Sequence, residues 1–332
     1  MTDNPPGLDL ARLQAHLGTG ALTAELIEGG RSNLTYRLTD GTERWVLRRP
    51  PLGHVLATAH DMAREYRVIG ALHGSPVPVP RTVRLTEDPE VIGAPFYLME
   101  FVDGTAHRDS AALAALGPVR VRALADHLVD TLVALHAIDP QEVGLADFGR
   151  PQGFLARQVQ RWGKQLDASR SREVAGIEEL RERLGATLPD SPAPALVHGD
   201  YRLDNVLVGE DDRITAVLDW EMSTLGDPLT DLGLLVMYTE LAGRFAGVLP
   251  GVALAPGFPG GAELIERYAA GSGRDVAQVH WYVAFASFKL AVVLEGIHFR
   301  YGQGRTVGAG FDRVGALVPL FVEHGLTALK EH

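Results

Sequence analysis

The apolar positions near the N-terminus fall in short runs broken by turn residues. Leu22 to Glu28, Leu34 to Thr39 and Arg44 to Arg48 mix β-branched, aromatic and aliphatic residues with polar ones, and Gly29-Gly30 and Asp40-Gly41 separate them. This pattern predicts three short strands joined by tight turns. Ala59 to Leu72 reads as a helix, closed by Gly74 and the proline-rich stretch Pro76 to Pro80. A further strand, Phe96 to Val102, runs into Asp103-Gly104, and beyond it helical patterns dominate, beginning with Arg120 to His136. The chain is therefore expected to be α+β. A small, mainly antiparallel β lobe spans residues 1–102, and a larger, mainly α-helical lobe spans 103–332. There is no internal repeat and no low-complexity tract. The Pro/Gly-rich stretch from Leu249 to Gly261 is expected to be a surface loop or lid in the larger lobe.

Composition narrows the class. With 332 residues, 46% of them hydrophobic, the chain can bury a large core, which suits two lobes. A formal net charge of −11 gives a nucleic-acid partner no electrostatic support. The absence of cysteine excludes disulfides, zinc-thiolate sites and thiol catalysis. Met1 to Leu10 is polar and proline-bearing and does not read as a signal peptide. The apolar stretch around Trp281 to Ile297 carries Lys289 and Glu295 and is expected not to span a bilayer. These observations together predict a cytoplasmic protein without a membrane partner.

Candidate chemistry concentrates in His198-Gly199-Asp200-Tyr201-Arg202-Leu203-Asp204-Asn205, which follows an apolar stretch. A hairpin of Val206 to Val208 and Ile214 to Leu218 is expected next, leading into Asp219-Trp220-Glu221. Phosphoryl transfer needs a group to take the attacking hydroxyl's proton and oxygen ligands for Mg²⁺ on the phosphates. An aspartate, an asparagine five residues later and an aspartate at a strand end supply that set, at the spacing of the protein-kinase catalytic loop.

With His-Gly-Asp in place of the kinase His-Arg-Asp, the chain resembles the aminoglycoside phosphotransferase and choline kinase superfamily. The continuation from Asp219-Trp220-Glu221 to Gly226-Asp227-Pro228-Leu229-Thr230-Asp231-Leu232-Gly233 is similar to the subgroup also found fused to acyl-CoA dehydrogenases. The resemblance implies the two-lobed protein-kinase-like fold, with ATP and Mg²⁺ as cofactors. It also implies Asp200 as catalytic base and Asn205 and Asp219 as metal ligands. His198, Asp227 and Asp231 are expected to hold loops, Asp204 to be structural, and Glu221 either to join the metal site or to support it.

The small lobe should then cover and orient the nucleotide. Gly29, Gly30, Ser32 and Asn33 form a turn whose backbone could approach phosphate oxygens. Val46-Leu47-Arg48 places an arginine where such kinases carry lysine, with Glu65 as its expected partner. Tyr97 to Val102 resembles the hinge between lobes, where backbone groups of Glu100 and Val102 would meet adenine. Asp147-Phe148-Gly149 mimics the kinase metal motif but precedes the catalytic loop, so it is expected to be a turn.

The acceptor is expected to be a small molecule bearing a hydroxyl. From Leu241 to His332 eight Arg/Lys face seven Asp/Glu, which disfavours a polycationic antibiotic. Lys289 and Arg300, eleven residues apart, should share one helix face roughly 16 Å apart along the axis. Either they pair with nearby carboxylates or reach water, or they read an anionic group on an acceptor with an apolar body. The fused relatives imply hydroxyacyl thioesters of coenzyme A as one such class. Two rivals are an antibiotic kinase and a nucleotide-binding pseudokinase. Retention of Asp200, Asn205 and Asp219 argues against the pseudokinase, and His-Gly-Asp argues against a protein kinase.

Overall fold

The computed structural model describes residues 4–27, 33–52, 60–191, 193–244, 251–304, 311 and 313–330. Along the chain run α1 (Leu10–Leu17), β1 (Thr23–Leu26), β2 (Leu34–Thr39), β3 (Arg44–Arg49), α2 (Met62–Leu72), β4 (Thr82–Thr86) and β5 (Phe96–Glu100). There follow α3 (Ser110–Ala114), α4 (Pro118–Ala137), α5 (Phe154–Ser169), α6 (Ile177–Ala186), β6 (Ala195–Val197), β7 (Val206–Val208), β8 (Ile214–Val217) and β9 (Thr224–Gly226). The last helices are α7 (Leu229–Leu241), α8 (Gly261–Ser272), α9 (Val279–Gly302) and α10 (Val318–Ala328). The chain divides into two compact units. The first is Met1–Gly104 with Thr215–Ser223, and the second is Thr105–Ile214 with Thr224–His332.

In the first unit β1-β2-β3-β5-β4 form one antiparallel sheet. Its register pairs Tyr36 with Leu47 and Leu47 with Leu98, so the two-residue pleat gathers Tyr36, Leu38, Leu47, Phe96 and Leu98 on one face. Leu8, Leu10, Leu13 and Leu22 close a core over that face. The opposite face carries Arg48, paired across the strands with Tyr97. α2 packs on β4, β5 and the Trp220–Met222 turn. α2 begins at Met62, later than the pattern suggested, because the Asp61 carboxylate caps it by accepting from Arg64 N at 2.9 Å. β5 likewise stops at Glu100 rather than Val102.

In the second unit α9 packs against α5, α6, α7 and α10, and most of its residues are buried. It is long and apolar enough to cross a membrane, with a mean hydropathy of 1.4. Lys289 and Glu295 interrupt its apolar run less than the sequence pattern suggested. Its best window is instead 72% buried inside the protein. β6 pairs antiparallel with β9, Ala195 opposite Gly226, and delivers the chain to His198. The stretch after Gly251 folds into a short 3₁₀ turn, Val252–Leu254, before α8.

Candidate active site

Strand alternation in the first unit puts Arg48 on the α2 face, only 11% exposed, where an isolated charge could not stay. Its Nε lies 3.1 Å from Oε2 of Glu65, itself 1% exposed, and Nη2 binds Asp219 Oδ1. Glu221 Oε2 is 3.8 Å away. Burial opposes the arginine's charge, but the Glu65 and Asp219 carboxylates outweigh it and hold the guanidinium above its ordinary pKa. Burial pushes Glu65 up, and burial with the neighbouring Glu65 charge pushes Tyr97 up. Asp219 sits at φ 65°, a left-handed backbone that few residues other than glycine adopt and that aspartate tolerates better than most. Glu221 also accepts from Asn33 Nδ2 at 2.9 Å, and Asn33 Oδ1 meets His60 Nδ1 at 2.8 Å.

In the second unit Asp200 follows Gly199, at φ 86°, in the loop after β6. Asn205 Nδ2 donates to the backbone oxygen of Asp200 at 2.8 Å and to its Oδ2 at 3.0 Å. Arg202 lies with Nε 3.5 Å from the same carboxylate and Nη2 3.1 Å from Asp204. Its guanidinium covers the Tyr238 ring at 4.9 Å. Behind the loop, Asp231 accepts from His198 N at 2.7 Å and Gly199 N at 2.8 Å. His136 bridges Asp231 (3.2 Å) and the Tyr268 hydroxyl (2.8 Å). Asp227 accepts from Ser191, Tyr282 and Leu229 N. Burial raises the pKa of Asp204 and of Asp227.

The expected partners Arg48 and Glu65 are thus in contact, joined by Asp219. Gly29, Gly30 and Ser32 lie outside the described residues. Asn33 is 3% exposed, and both ends of its side-chain amide are engaged, by Glu221 and His60. The Glu100 N–H donates to Arg81 O at 2.9 Å, which leaves the carbonyl as that residue's backbone group for an adenine. Lys289 and Arg300 part company: the ammonium of Lys289 donates to Gly199 O at 2.7 Å, whereas Arg300 is exposed near the end of α9. Asp147 lies in an exposed turn.

Among the described residues no three His, Cys, Asp or Glu side chains cluster to hold a metal alone. The donor chemistry nonetheless suits Mg²⁺, which takes one or two protein oxygens and completes its shell from phosphate and water. Asp219 offers a carboxylate and Asn205 an amide oxygen. The same Asp219 carboxylate also meets the Arg48 guanidinium, with Glu65 beside it and Glu221 at 3.8 Å.

A profile of the phosphotransferase enzyme family matches residues 23–282. The chain belongs to that family. It is 34% identical over 311 residues to acyl-CoA dehydrogenase family member 10 of Mus musculus, covering 92% of this chain and 29% of that protein. It is 35% identical over 323 residues to family member 11 of Gallus gallus, covering 94% and 41%. The chain spans less than half the length of these curated relatives. Among solved structures, a candidate aminoglycoside phosphotransferase of Ralstonia eutropha superposes with a TM-score of 0.84 at 34% identity, covering 97% of this chain and 98% of that one. A ternary complex of a thermostable aminoglycoside phosphotransferase APH(4)-Ia mutant with AMP-PNP and hygromycin B gives a TM-score of 0.65 at 16% identity, covering 96% and 97%, a likeness of fold alone.

In this phosphotransferase, sequence reasoning missed Tyr97, His60, Arg202 and Tyr238. Tyr97 was visible only as a hinge-strand residue, and its place beside Arg48 needs the β3–β5 register. Arg202 carried a signal, being a cation two residues from Asp200.

Proposed function

We propose that this chain transfers the γ-phosphoryl group of ATP to a hydroxyl of a small molecule. The observation that carries the reading is the Asp200 carboxylate, 29% exposed, steadied by Asn205 and Arg202 at the tip of a loop fastened from behind by Asp231. Such a carboxylate can take the acceptor's proton as the hydroxyl oxygen attacks phosphorus and ADP leaves. Asn205 and Asp219 would hold Mg²⁺, which neutralises charge on the phosphates. Arg48 would bind phosphate oxygens while Glu65 keeps it in place. Gly29, Gly30 and Ser32 would cover the phosphates, and the Glu100 carbonyl and Val102 would meet adenine. The AMP-PNP complex of a protein with this fold supports ATP as donor.

The acceptor we infer has an apolar body and an anionic group, a hydroxyacyl-CoA being one example. Leu235, Tyr238, Val252, Ala253 and Phe258 line a groove that is apolar except for Thr239 and the paired Arg202 and Asp204. Arg300, exposed on α9, is available to an anionic group at the far end of an extended acceptor. The acyl-CoA dehydrogenase names of relatives at 34–35% identity favour the same class. A second reading, an aminoglycoside acceptor, draws on the hygromycin B complex.

The test is thermal unfolding with millimolar ATP, with Mg²⁺ or EDTA, followed by ADP release over hydroxyacyl-CoA species, other hydroxylated metabolites and aminoglycosides. A ligand at about 100 times its Kd adds about 2.7 kcal/mol to stability. The expected result is a larger ATP-dependent rise in Tm with Mg²⁺, and loss of that metal-dependent part in Asp219→Asn. No shift under either condition would remove the kinase reading. Efficient phosphorylation of aminoglycosides with acids and CoA esters inert would overturn the acceptor class.

A further inference from the structure

We propose that Lys289 is a positioning residue for the catalytic loop: its ammonium fixes the plane of the Gly199–Asp200 peptide and thereby the direction in which the Asp200 side chain leaves the backbone. The inference rests on Asp200 being the base.

Lys289 lies on α9, which is held by packing against α5 and α7, and is itself partly buried. Nζ donates to Gly199 O at 2.7 Å and stands 5.7 Å from the centre of the Trp162 ring. Among the described residues no carboxylate lies within 4.0 Å of it, so the hydrogen bond of this partly buried cation goes to a backbone carbonyl. Burying a charge is costly, and a methionine would fill similar space without that cost. Burial accordingly lowers the lysine's pKa, while the more distant Asp200 and Asp231 favour its charge.

The position of the carbonyl explains what the charge does. Gly199 at φ 86° has the widest backbone freedom of any residue, so its own conformational preference does little to set the orientation of the peptide that follows it. A peptide unit is planar, so fixing its oxygen and nitrogen fixes the line to the next Cα. Lys289 holds the oxygen of this unit, and His198 Nδ1 accepts from its nitrogen, the Asp200 N–H, at 3.2 Å. Asp231 holds the two N–H groups just upstream. Without Lys289 the unit keeps its weaker tether and loses the stronger one. The Asp200 carboxylate then swings on a glycine pivot, although no substrate contact has been removed.

The experiment compares wild type with Lys289→Met, Lys289→Gln and Lys289→Arg. It measures Mg·ATP turnover with water as the acceptor, Tm, and amide hydrogen exchange at Gly199 and Asp200. Misplacing a reacting group by about an ångström costs about 10²-fold. For Lys289→Met we expect kcat to fall by that order with KM for ATP within about twofold, Asp200 N–H exchange to quicken, and Lys289→Arg to recover most of the rate. A Lys289→Met protein that folds, turns over within about twofold of wild type and keeps its loop protection overturns the proposal. So does a variant whose only change is a raised KM. If Lys289→Met does not fold, Lys289→Leu, which also lacks a donor, takes its place under the same criteria, while Lys289→Gln, which keeps a donor, is expected to keep part of the rate. If wild type turns over no ATP with water as acceptor, exchange at Asp200 in the variants alone decides whether Lys289 holds the loop, and the kinase reading is judged separately by the ATP-dependent rise in Tm.

Discussion

Arg48 meets several carboxylates at once, and the geometry explains why an arginine serves there. Its planar fork reaches Glu65 through Nε and Asp219 through Nη2 at once, whereas a lysine ammonium is a single point of charge. Asp200 depends on finer features. Its carboxylate is bound by a neutral amide from Asn205 and approached by Arg202, and Asp200→Asn changes almost nothing but the ability to accept a proton. That variant is expected to lose roughly 10²–10⁴ in kcat. Its ATP affinity, measured by titration with a fluorescent analogue, should stay within about twofold, since in this reading the base faces the acceptor. Near-normal turnover would remove Asp200 from the role.

At the scale of elements, the contact between α7 and α9 sets the site, because α7 carries Asp231 and α9 carries Lys289. The helices meet closely at Gly233, where an added Cβ would come within 2.6 Å of the Tyr282 backbone. Backbone cannot swing aside as a flexible side chain can, so Gly233→Ala should force the helices apart. Overpacking of this kind costs about 1–3 kcal/mol. The loss should appear as a lower urea midpoint with the slope unchanged, and a variant as stable as wild type would show that the contact yields. Strand and helix runs were largely legible in the sequence because pleat and helix periods mark them locally. The ends were less so: the start of α2 depends on the Asp61 cap, and the end of β5 lies two residues short of the apolar run. The chemical set Asp200, Asn205 and Asp219 was legible because it lies within one short stretch at fixed spacing. The meeting of Tyr97 with Arg48, or of Lys289 with Gly199, could not be read, because each depends on register or helix packing between segments far apart in the chain.

At the scale of the whole molecule, stability should depend on pH through buried histidine. His136 makes both its hydrogen bonds as a neutral ring, donating from Nε2 to Asp231 and accepting from Tyr268 at Nδ1. Burial lowers its pKa below the ordinary 6.5, and burial together with Arg48 does the same to His60. Below pH 6.5 the unfolded chain takes up protons that the folded chain refuses. The stability these groups contribute is therefore complete above that pH and is lost as pH falls through their folded values, by at most about 1.4 kcal/mol per unit for each proton. The raised carboxyls of Asp204 and Asp227 act in the opposite sense, beginning around their ordinary value of 3.8. Urea unfolding at pH 7.5 and 5.5 should show lower stability at 5.5. His136→Gln, which can keep both bonds without titrating, should narrow the gap, and an unchanged gap would rule His136 out as its source.

The chain enters the second unit at Thr105, returns to the first for the nine residues Thr215–Ser223, and leaves again. The first unit is therefore not a contiguous stretch of gene. A fragment ending at Gly104 would carry Arg48 and Glu65 without Asp219, and α2 without the Trp220 turn it packs on. Neither unit can be released by a single proteolytic cut or exchanged between relatives at a single crossover. Recombination that keeps both units whole has to splice at three points, after Gly104, Ile214 and Ser223.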